Sequence, residues 1–341
     1  MSEEMSFNEG ELALILSELS VADGSVREKV LNRQENLTKP RGSLGQMEDL
    51  AIWLAAWQGR ERPVLDKAHC LVFAGNHGVT KKGVSAFPAE VTAQMVANFE
   101  SGGAAINQLC RASGARLQVI DLELDQPTAD FSEQPAMSVA ECGRAFRAGM
   151  TAVPEDADIL LLGEMGIGNS TSAAALSAAC FGGDVRDWTG PGTGLDAAGI
   201  NHKIRLIEQS LRVHDGHLTG AFEIMRRLGG RELAAIAGAA LAARQKRIPV
   251  ILDGFICTAA AAVLTVDNKN ALDHCQVAHL SVEPGHEILA GALQKTPILD
   301  LGMRLGEASG AAVALMILRA AIEVHNGMAT FAEAGVTNRD G

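Results

Sequence analysis

The stretch Ile159-Leu160-Leu161-Leu162-Gly163-Glu164-Met165-Gly166-Ile167-Gly168-Asn169-Ser170-Thr171 decides the fold class. Four consecutive apolar residues without alternation are typical of a strand that is covered on both faces of a sheet. Asn169 and Ser170 are favoured at helix starts, and an apolar helical pattern follows at 170–180. We therefore expect a buried parallel strand that runs through a glycine-rich turn into a helix.

The rest of the chain alternates in the same way. Strand patterns occur at 70–74, 117–120, 159–162, 250–252 and 277–280, with a weaker sixth at 298–299. Helical patterns occur between them at 89–99, 104–111, 170–180, 195–213, 232–246 and 254–264, and segment 125–139 is predicted to be an exposed loop. This order predicts an α/β fold with a mostly parallel, Rossmann-like sheet flanked by helices.

The two ends of the chain differ from this pattern. Residues 1–65 carry helical spacing and no convincing strand, and the chain is helical again from residue 311. We expect residues 66–300 to form the sheet domain with the active-site cleft. Residues 1–65 and 301–341 are predicted to form a smaller helical subdomain that contributes Glu307.

Composition excludes several classes of function. The formal net charge is −12, which argues against nucleic acid or an anionic membrane surface as a partner. No apolar run reaches the roughly 20 residues that a membrane span needs. The acidic segment Met1-Ser2-Glu3-Glu4-Met5 does not resemble a signal peptide. Six scattered cysteines without a Cys-x-x-Cys pair predict reduced thiols, and hence a cytoplasmic protein.

Glycine-rich and polar clusters follow several of the predicted strands. They are Gly75-Asn76-His77-Gly78, the Gly163 stretch, Asp253-Gly254 and Ser281-Val282-Glu283-Pro284-Gly285-His286. Ligands bind beyond the carboxyl ends of parallel strands, so these clusters are expected to converge on one cleft. Near the C-terminus, Glu307 stands between glycines in Leu301-Gly302-Met303-Arg304-Leu305-Gly306-Glu307-Ala308-Ser309-Gly310, where it is either a functional carboxylate or a charge at a helix start.

The residues alone leave several interpretations open. The Gly163 stretch fits a mononucleotide phosphate or ribose site, or a tight structural turn, and lacks the third glycine and the acid of a dinucleotide site. Lys203 follows Gly190-Pro191-Gly192-Thr193-Gly194 and is either a phosphate ligand or a solvated lysine. No zinc motif is present, so surface or capping roles are expected for the histidines: His77, His202, His214, His217, His274, His279 and His286.

Together the motifs resemble one family, in order from about residue 37 to 336. They include Lys39-Pro40-Arg41-Gly42-Ser43-Leu44-Gly45, Gly83-Val84-Ser85-Ala86-Phe87-Pro88, Asp253-Gly254-Phe255 and Arg304-Leu305-Gly306-Glu307. The chain is similar to nicotinate-nucleotide–dimethylbenzimidazole phosphoribosyltransferases, which make the lower-ligand nucleotide of cobalamin. The resemblance implies transfer of phosphoribose from nicotinate mononucleotide to dimethylbenzimidazole, giving α-ribazole phosphate and nicotinate. It implies no metal, no cofactor and a homodimer.

The resemblance also implies roles for particular residues. Glu307 resembles the general base, and Glu164 resembles a second acid that either binds the ribose or favours an oxocarbenium-like carbon. Ser85, Gln94 and Leu305 match the benzimidazole pocket. Phosphate or other substrate contacts are implied for Gly166, Gly168, Gly192, Lys203 and Ser281. Asn76 stands where many relatives carry Asp, so no catalytic role is assigned to it.

Three alternatives remain. The acceptor could be adenine, another benzimidazole or a phenol, with the same chemistry. The chain could instead be a nucleotide or benzimidazole binder without turnover, although the presence of both Glu307 and Glu164 argues against that loss. A dinucleotide oxidoreductase is disfavoured by the absent third glycine.

Overall fold

The computed structural model describes residues 7–337. Its central sheet has five strands in the order β2-β1-β3-β4-β5, and every pairing is parallel. The strands are β1 (Ala68–Ala74), β2 (Arg116–Asp121), β3 (Ile159–Met165), β4 (Val250–Leu252) and β5 (Cys275–Val277). The predicted parallel α/β fold is confirmed.

Helices cover the sheet. The first six are α1 (Glu9–Ser17), α2 (Gly24–Asn36), α3 (Gln46–Gln58), α4 (Glu90–Glu100), α5 (Ala105–Ser113) and α6 (Val139–Ala152). The next six are α7 (Asn169–Phe181), α8 (Val185–Trp188), α9 (Ala197–Val213), α10 (Ala221–Leu228), α11 (Arg231–Gln245) and α12 (Phe255–Ala262). The last are α13 (Gly285–Ala292), α14 (Ser309–Gly327) and α15 (Phe331–Ala334), and short 3-10 helices span Gly78–Lys82 and Val263–Val266.

The sheet is buried on both faces, as the continuous apolar strands require. On β1, Leu71 and Phe73 point into a core shared with α6, α7, α11 and α12, whereas Cys70 and Val72 point into a core shared with α3, α5 and α14. Period-two alternation puts successive side chains on opposite faces, so each residue of such a strand must be apolar. β1 lies inside the sheet between β2 and β3, with both of its faces covered, which explains its composition.

Helix α6 was not predicted from the sequence. It begins with a capping box, in which Ser138 and Glu141 satisfy each other's backbone N–H groups. It packs closely on α11, because Gly149 has no side chain at the contact. A Cβ added there would lie 1.8 Å from the Ala235 carbonyl oxygen. The preceding segment 125–139 is not an exposed loop, because Phe131, Ala136 and Met137 are buried in the core.

Two other local predictions were wrong. The predicted strand at 277–280 lies instead at Cys275–Val277, and residues 298–299 form no strand, because Leu299 pairs with His279 through a single isolated bridge. Backbone hydrogen bonds still join the two segments, from the Ile298 and Leu299 N–H groups to the Val277 and Ala278 carbonyl oxygens.

The helices from the two chain ends pack together, with α3 against both α2 and α14. Helices α3 and α14 also share a core with β1 and β3. The division at residues 65 and 300 stays a prediction, and the segment Met1–Met5 lies outside the described residues. Within those residues, no helix has the length and apolar character needed to cross a bilayer.

Candidate active site

A cavity of about 660 Å³ opens at the carboxyl ends of the strands. The clusters after β3, β4 and β5 line it, as parallel strands require, whereas the cluster after β1 packs beneath it. Its apolar wall includes Phe87, Val91, Met95, Met165, Phe255 and Leu305. Its charged lining residues are four carboxylates and one arginine: Glu164, Asp253, Glu283, Glu307 and Arg304. The cavity therefore combines an apolar surface for a ring with a concentration of buried acids.

Glu307 lies on a strained turn at the edge of this cavity. Gly306, Glu307 and Ala308 all have left-handed backbone conformations, with φ of 85°, 63° and 64°. Two of these residues carry side chains, which makes the conformation costly. The Glu307 N–H donates to the Glu164 carbonyl oxygen at 3.3 Å, and this contact ties the turn to the end of β3.

The Glu307 carboxyl group is 5% exposed, and its Oε2 has no hydrogen-bond partner among the described residues. Burial raises the pKa of Glu307, and the backbone N–H of Ile106 at the start of α5 opposes this shift. A buried carboxylate with a free oxygen and a raised pKa is suited to accept a proton from a ligand.

Asp253, at the end of β4, holds the first turn of α14 in place. Its Oδ1 accepts the Ala311 N–H at 2.9 Å, so it caps a helix whose own N-cap residue, Ala308, has no polar side chain. Burial raises the pKa of Asp253 to about 7, although these backbone hydrogen bonds act to lower it. Asp253 thereby fixes the start of the helix that follows Glu307.

Glu164 forms the floor of the site at the end of β3. Its Oε2 accepts a hydrogen bond from Asn169 Nδ2 at 2.5 Å. Burial is the main cause that raises the pKa of Glu164 to about 8, and the nearby charges of Asp253, Glu232 and Glu307 add to it. Glu164 thus accepts or releases a proton near neutral pH.

The only lysine among the sequence-predicted site residues, Lys203, lies on α9 behind the cavity wall. It is fully buried, and its Nζ donates to Ser170 Oγ at 2.9 Å and to the Gly190 carbonyl at 3.3 Å. Burial lowers the pKa of Lys203 to about 8, and the charge of Glu283 opposes this. The alternative of a solvated lysine is therefore wrong. Lys203 and Ser170, with the start of α7, form a cationic pocket suited to phosphate.

The structure brings most of the predicted site residues together. Those that line the cavity are Ser85, Glu164, Gly166, Gly168, Gly192, Ser281, Leu305 and Glu307. Ser85 Oγ lies 3.0 Å from Thr193 Oγ1, which links two of the loops. Gln94 is not among the lining residues; it is exposed on α4, next to Met95, which does line the cavity.

Sequence reasoning assigned no role to several buried polar residues of the site. Asp253 and Glu283 appeared only within quoted motifs, yet both line the cavity, and Glu283 Oε1 accepts the Gly192 N–H at 2.9 Å. A surface role was wrong for five histidines, which are buried: His77, His214, His274, His279 and His286; His214 is also the C-cap of α9. The sequence offered one sign that His77 and His279 are buried near the site: His77 follows β1, and His279 follows β5. Among residues 7–337, no cluster of His, Cys, Asp or Glu side chains could hold a metal ion.

Comparison with known proteins agrees with this site. A family model described as phosphoribosyltransferase matches residues 19–336. The nicotinate-nucleotide–dimethylbenzimidazole phosphoribosyltransferase of Rhodobacter capsulatus is 56% identical over 327 residues, which cover 96% of this chain and 97% of that protein. The protein of the same name from Methylorubrum extorquens is 55% identical and covers 94% of each chain.

A solved structure is also similar. The crystal structure of CobT from Thermus thermophilus has a TM-score of 0.87 and 41% identity, covering 92% of this chain and 99% of that one. The resemblance seen in the sequence motifs is confirmed. This chain belongs to the nicotinate-nucleotide–dimethylbenzimidazole phosphoribosyltransferase family and is a phosphoribosyltransferase.

Proposed function

We propose that the protein transfers the phosphoribosyl group of nicotinate mononucleotide to 5,6-dimethylbenzimidazole, giving α-ribazole phosphate and nicotinate in cobalamin nucleotide-loop assembly. The names of its relatives support both substrates. The observation that carries the proposal is the Glu307 carboxyl group, buried with one free oxygen in a cavity that also adjoins the Lys203 pocket. A base and an anion site in one cavity fit an acceptor N–H and a nucleotide phosphate.

The phosphate of the donor is placed beside Lys203 and Ser170. The side-chain contact between them already points the ammonium group towards the first turn of α7, where the helix dipole favours an anion. Gly192 and Gly166 have no side chains, so the phosphoribosyl group can approach the backbone closely. A dianionic phosphate would keep Lys203 protonated by supplying the charge that burial otherwise disfavours.

The leaving group departs as nicotinate. The bond between the ribose C1′ and the pyridinium nitrogen breaks, and its electron pair stays on that nitrogen. Positive charge develops at C1′ and favours the ionised form of Glu164 on the cavity floor, whose carboxylate is suited to stabilise it. The pyridinium nitrogen becomes neutral as the bond breaks, so no acid is needed to protonate it.

The acceptor ring is placed on the apolar wall formed by Met95, Val91 and Leu305, with Ser85 at its polar edge. One ring nitrogen forms the new bond to C1′, and the other loses its proton to Glu307. Gln94 completes the proposed acceptor contacts, and its side chain must turn inwards from the exposed side of α4 to reach the ring.

A single mixture tests this proposal. Purified protein, nicotinate mononucleotide and dimethylbenzimidazole are combined without added metal, and the products are separated by chromatography. We expect nicotinate and α-ribazole phosphate in equal amounts. Nicotinate alone would indicate hydrolysis or another acceptor, such as adenine, another benzimidazole or a phenol. The absence of nicotinate, with ligand binding retained, would indicate a binder without turnover.

We also propose that the protein is a cytoplasmic homodimer. All six cysteine thiols are unpaired, which supports a reducing compartment. The apolar face of α3 does not supply the dimer contact, because Leu50, Leu54 and Trp57 are buried within the chain itself. Light scattering during size-exclusion chromatography should give a mass near 71 kDa, twice the 35.7 kDa of one chain, and a mass of one chain would contradict the dimer.

A further inference from the structure

A fully buried hydrogen-bonded pair of side chains lies beneath the cavity and takes no part in the proposed chemistry. His77 follows β1, Glu232 begins α11, and both side chains are 0% exposed. His77 Nε2 lies 2.5 Å from Glu232 Oε1, and His77 Nδ1 lies 3.2 Å from Ser172 Oγ on α7. A ring nitrogen and a carboxyl oxygen at this distance share one hydrogen. The imidazole thereby joins three elements: the end of β1, the start of α11 and the first turns of α7.

The loops that line the cavity pack directly on this pair. A Cβ added at Gly75 would lie 2.4 Å from Glu232 Oε2, and one added at Gly166 would lie 3.0 Å from Glu232 Oε1. A Cβ added at Gly230 would lie 2.3 Å from His77 Cε1. Three glycines therefore leave room for the two side chains, and one of them, Gly166, lines the cavity. The backbone of the Gly166 turn rests on the Glu232 carboxylate.

The same turn of α7 joins the pair to Glu164. Asn169 and Ser172 are three residues apart on one helix, so they share a face. Ser172 contacts His77, whereas Asn169 donates to Glu164 Oε2 at 2.5 Å. A displacement of the first turns of α7 would therefore move the donor that orients Glu164. Because interiors are close-packed, such a displacement is transmitted rather than absorbed.

We infer that His77, held by Glu232 and Ser172, is a positioning residue that sets the Gly166 turn and Glu164 for the donor nucleotide. This inference rests on the proposed function, because it assigns the Gly166 turn and Glu164 to that nucleotide. The acceptor wall is formed by Val91, Met95 and Leu305 and lies farther from the pair. It meets the Gly166 turn through α4, where Thr92 Oγ1 accepts the Ile167 N–H at 3.1 Å. Loosening the pair should therefore impair use of nicotinate mononucleotide more than use of the acceptor.

The matched variants are Ser172→Ala and Ser177→Ala. Both serines are buried on α7, but Ser177 donates to the Ala173 carbonyl at 2.8 Å and contacts neither His77 nor the cavity. Loss of one buried hydrogen bond corresponds to about a three- to tenfold change. We expect Ser172→Ala to lower kcat/KM for nicotinate mononucleotide by that factor, with a smaller change in the KM for dimethylbenzimidazole. Ser177→Ala should leave both values as in the wild type.

Glu232→Gln is the stronger variant, because it keeps the side-chain shape and replaces the carboxyl group that contacts His77 by an amide. It should change the same parameter as Ser172→Ala, by a larger factor. Equal kinetics for Ser172→Ala and Ser177→Ala would overturn the inference even if Glu232→Gln failed to fold. In that case the pair would contribute to stability alone.

Amide hydrogen exchange separates this inference from the proposed function. In the protein without substrates, Ser172→Ala should speed exchange in residues 163–170 relative to Ser177→Ala. If Ser172→Ala exchanges faster in that segment but the wild-type protein forms no nicotinate, positioning is supported and the proposed reaction is overturned. If the wild-type protein is active and Ser172→Ala matches Ser177→Ala in both exchange and kinetics, the positioning role is overturned and the proposed reaction stands.

Discussion

The two ends of the cavity respond to burial in opposite directions. At the acidic end, burial raises the pKa of Glu164 to about 8 and of Asp253 to about 7, and raises the pKa of Glu307. At the phosphate end, burial lowers the pKa of Lys203 to about 8. One physical cause, the loss of water around a charge, favours the neutral form in both places.

This difference indicates what the cavity is shaped to receive. The proposed donor carries a phosphate at one end and, at the other, a pyridinium ring with a positive nitrogen and a carboxylate. Bound with its phosphate at Lys203, it would supply the missing counter-charge there and bring the positive ring nitrogen towards the carboxyl groups. On the proposed function, Glu307 and Lys203 would together set the direction in which the donor binds.

The largest expected effect is at the acidic end. Glu307→Gln keeps the size and hydrogen-bonding capacity of the side chain but cannot take a proton. We expect kcat to fall by about 10²-fold or more, as loss of a general base implies. The measurement is steady-state formation of nicotinate, together with calorimetric binding of each substrate, which should be retained.

The control for this variant is Glu287→Gln, which changes an exposed carboxylate on α13. Its kcat should equal that of the wild type. Equal turnover in Glu307→Gln would remove Glu307 from the role of base. Raising the pH should not restore activity to Glu307→Gln, because the amide has no ionised form to populate.

A smaller effect is expected at the phosphate end. Lys203→Met keeps an unbranched apolar stem in a buried position and removes the charge. The KM for nicotinate mononucleotide should rise by about tenfold or more with little change in kcat, because a phosphate contact contributes equally to ground and transition states. The exposed Lys269 supplies the control, Lys269→Met. An unchanged KM for the nucleotide would contradict the phosphate assignment.

The sequence predicted the acidic and phosphate ends unequally. Glu307 and Glu164 stand out because glycines mark sharp turns at strand and helix ends, but their roles came from the family resemblance and stay predictions. Lys203 was ambiguous, since its burial depends on α9 packing across α7. The capping contact of Asp253 with Ala311 joins residues 58 apart, and His77 with Glu232 joins residues 155 apart. Such contacts follow from the topology and leave no local pattern.

The strands were predicted well for a related reason. A strand buried on both faces must be apolar at every position, so β1 and β3 stand out in the sequence. Helix α6 is less conspicuous, because its helix–helix contact with α11 is made by small residues such as Gly149 and Gly238. Close backbone approach here replaces the large apolar side chains that reveal a helix face.

The smallest expected effect is on stability, and it concerns both ends at once. A carboxyl group with a raised pKa in the folded state holds a proton that the unfolded chain has released. The contributions of Glu164 and Asp253 are therefore fully present below their unfolded pKa values, near 4, and are lost as the pH rises to about 8. Lys203 behaves oppositely, since its contribution is present above pH 10.5 and is lost as the pH falls to about 8.

The free energy of unfolding of the protein without substrates should consequently have a minimum near pH 8 from these groups. Urea unfolding at one-unit steps from pH 5 to pH 10 measures it, with slopes of up to about 1.4 kcal/mol per pH unit for each proton. Glu164→Gln should flatten the limb below pH 8 and leave the upper limb unchanged, whereas Lys203→Met should flatten only the limb above pH 8. If the plots of unfolding free energy against pH for both variants stay parallel to that of the wild type, burial does not hold Glu164 and Lys203 neutral. The contrast between the two ends would then be wrong.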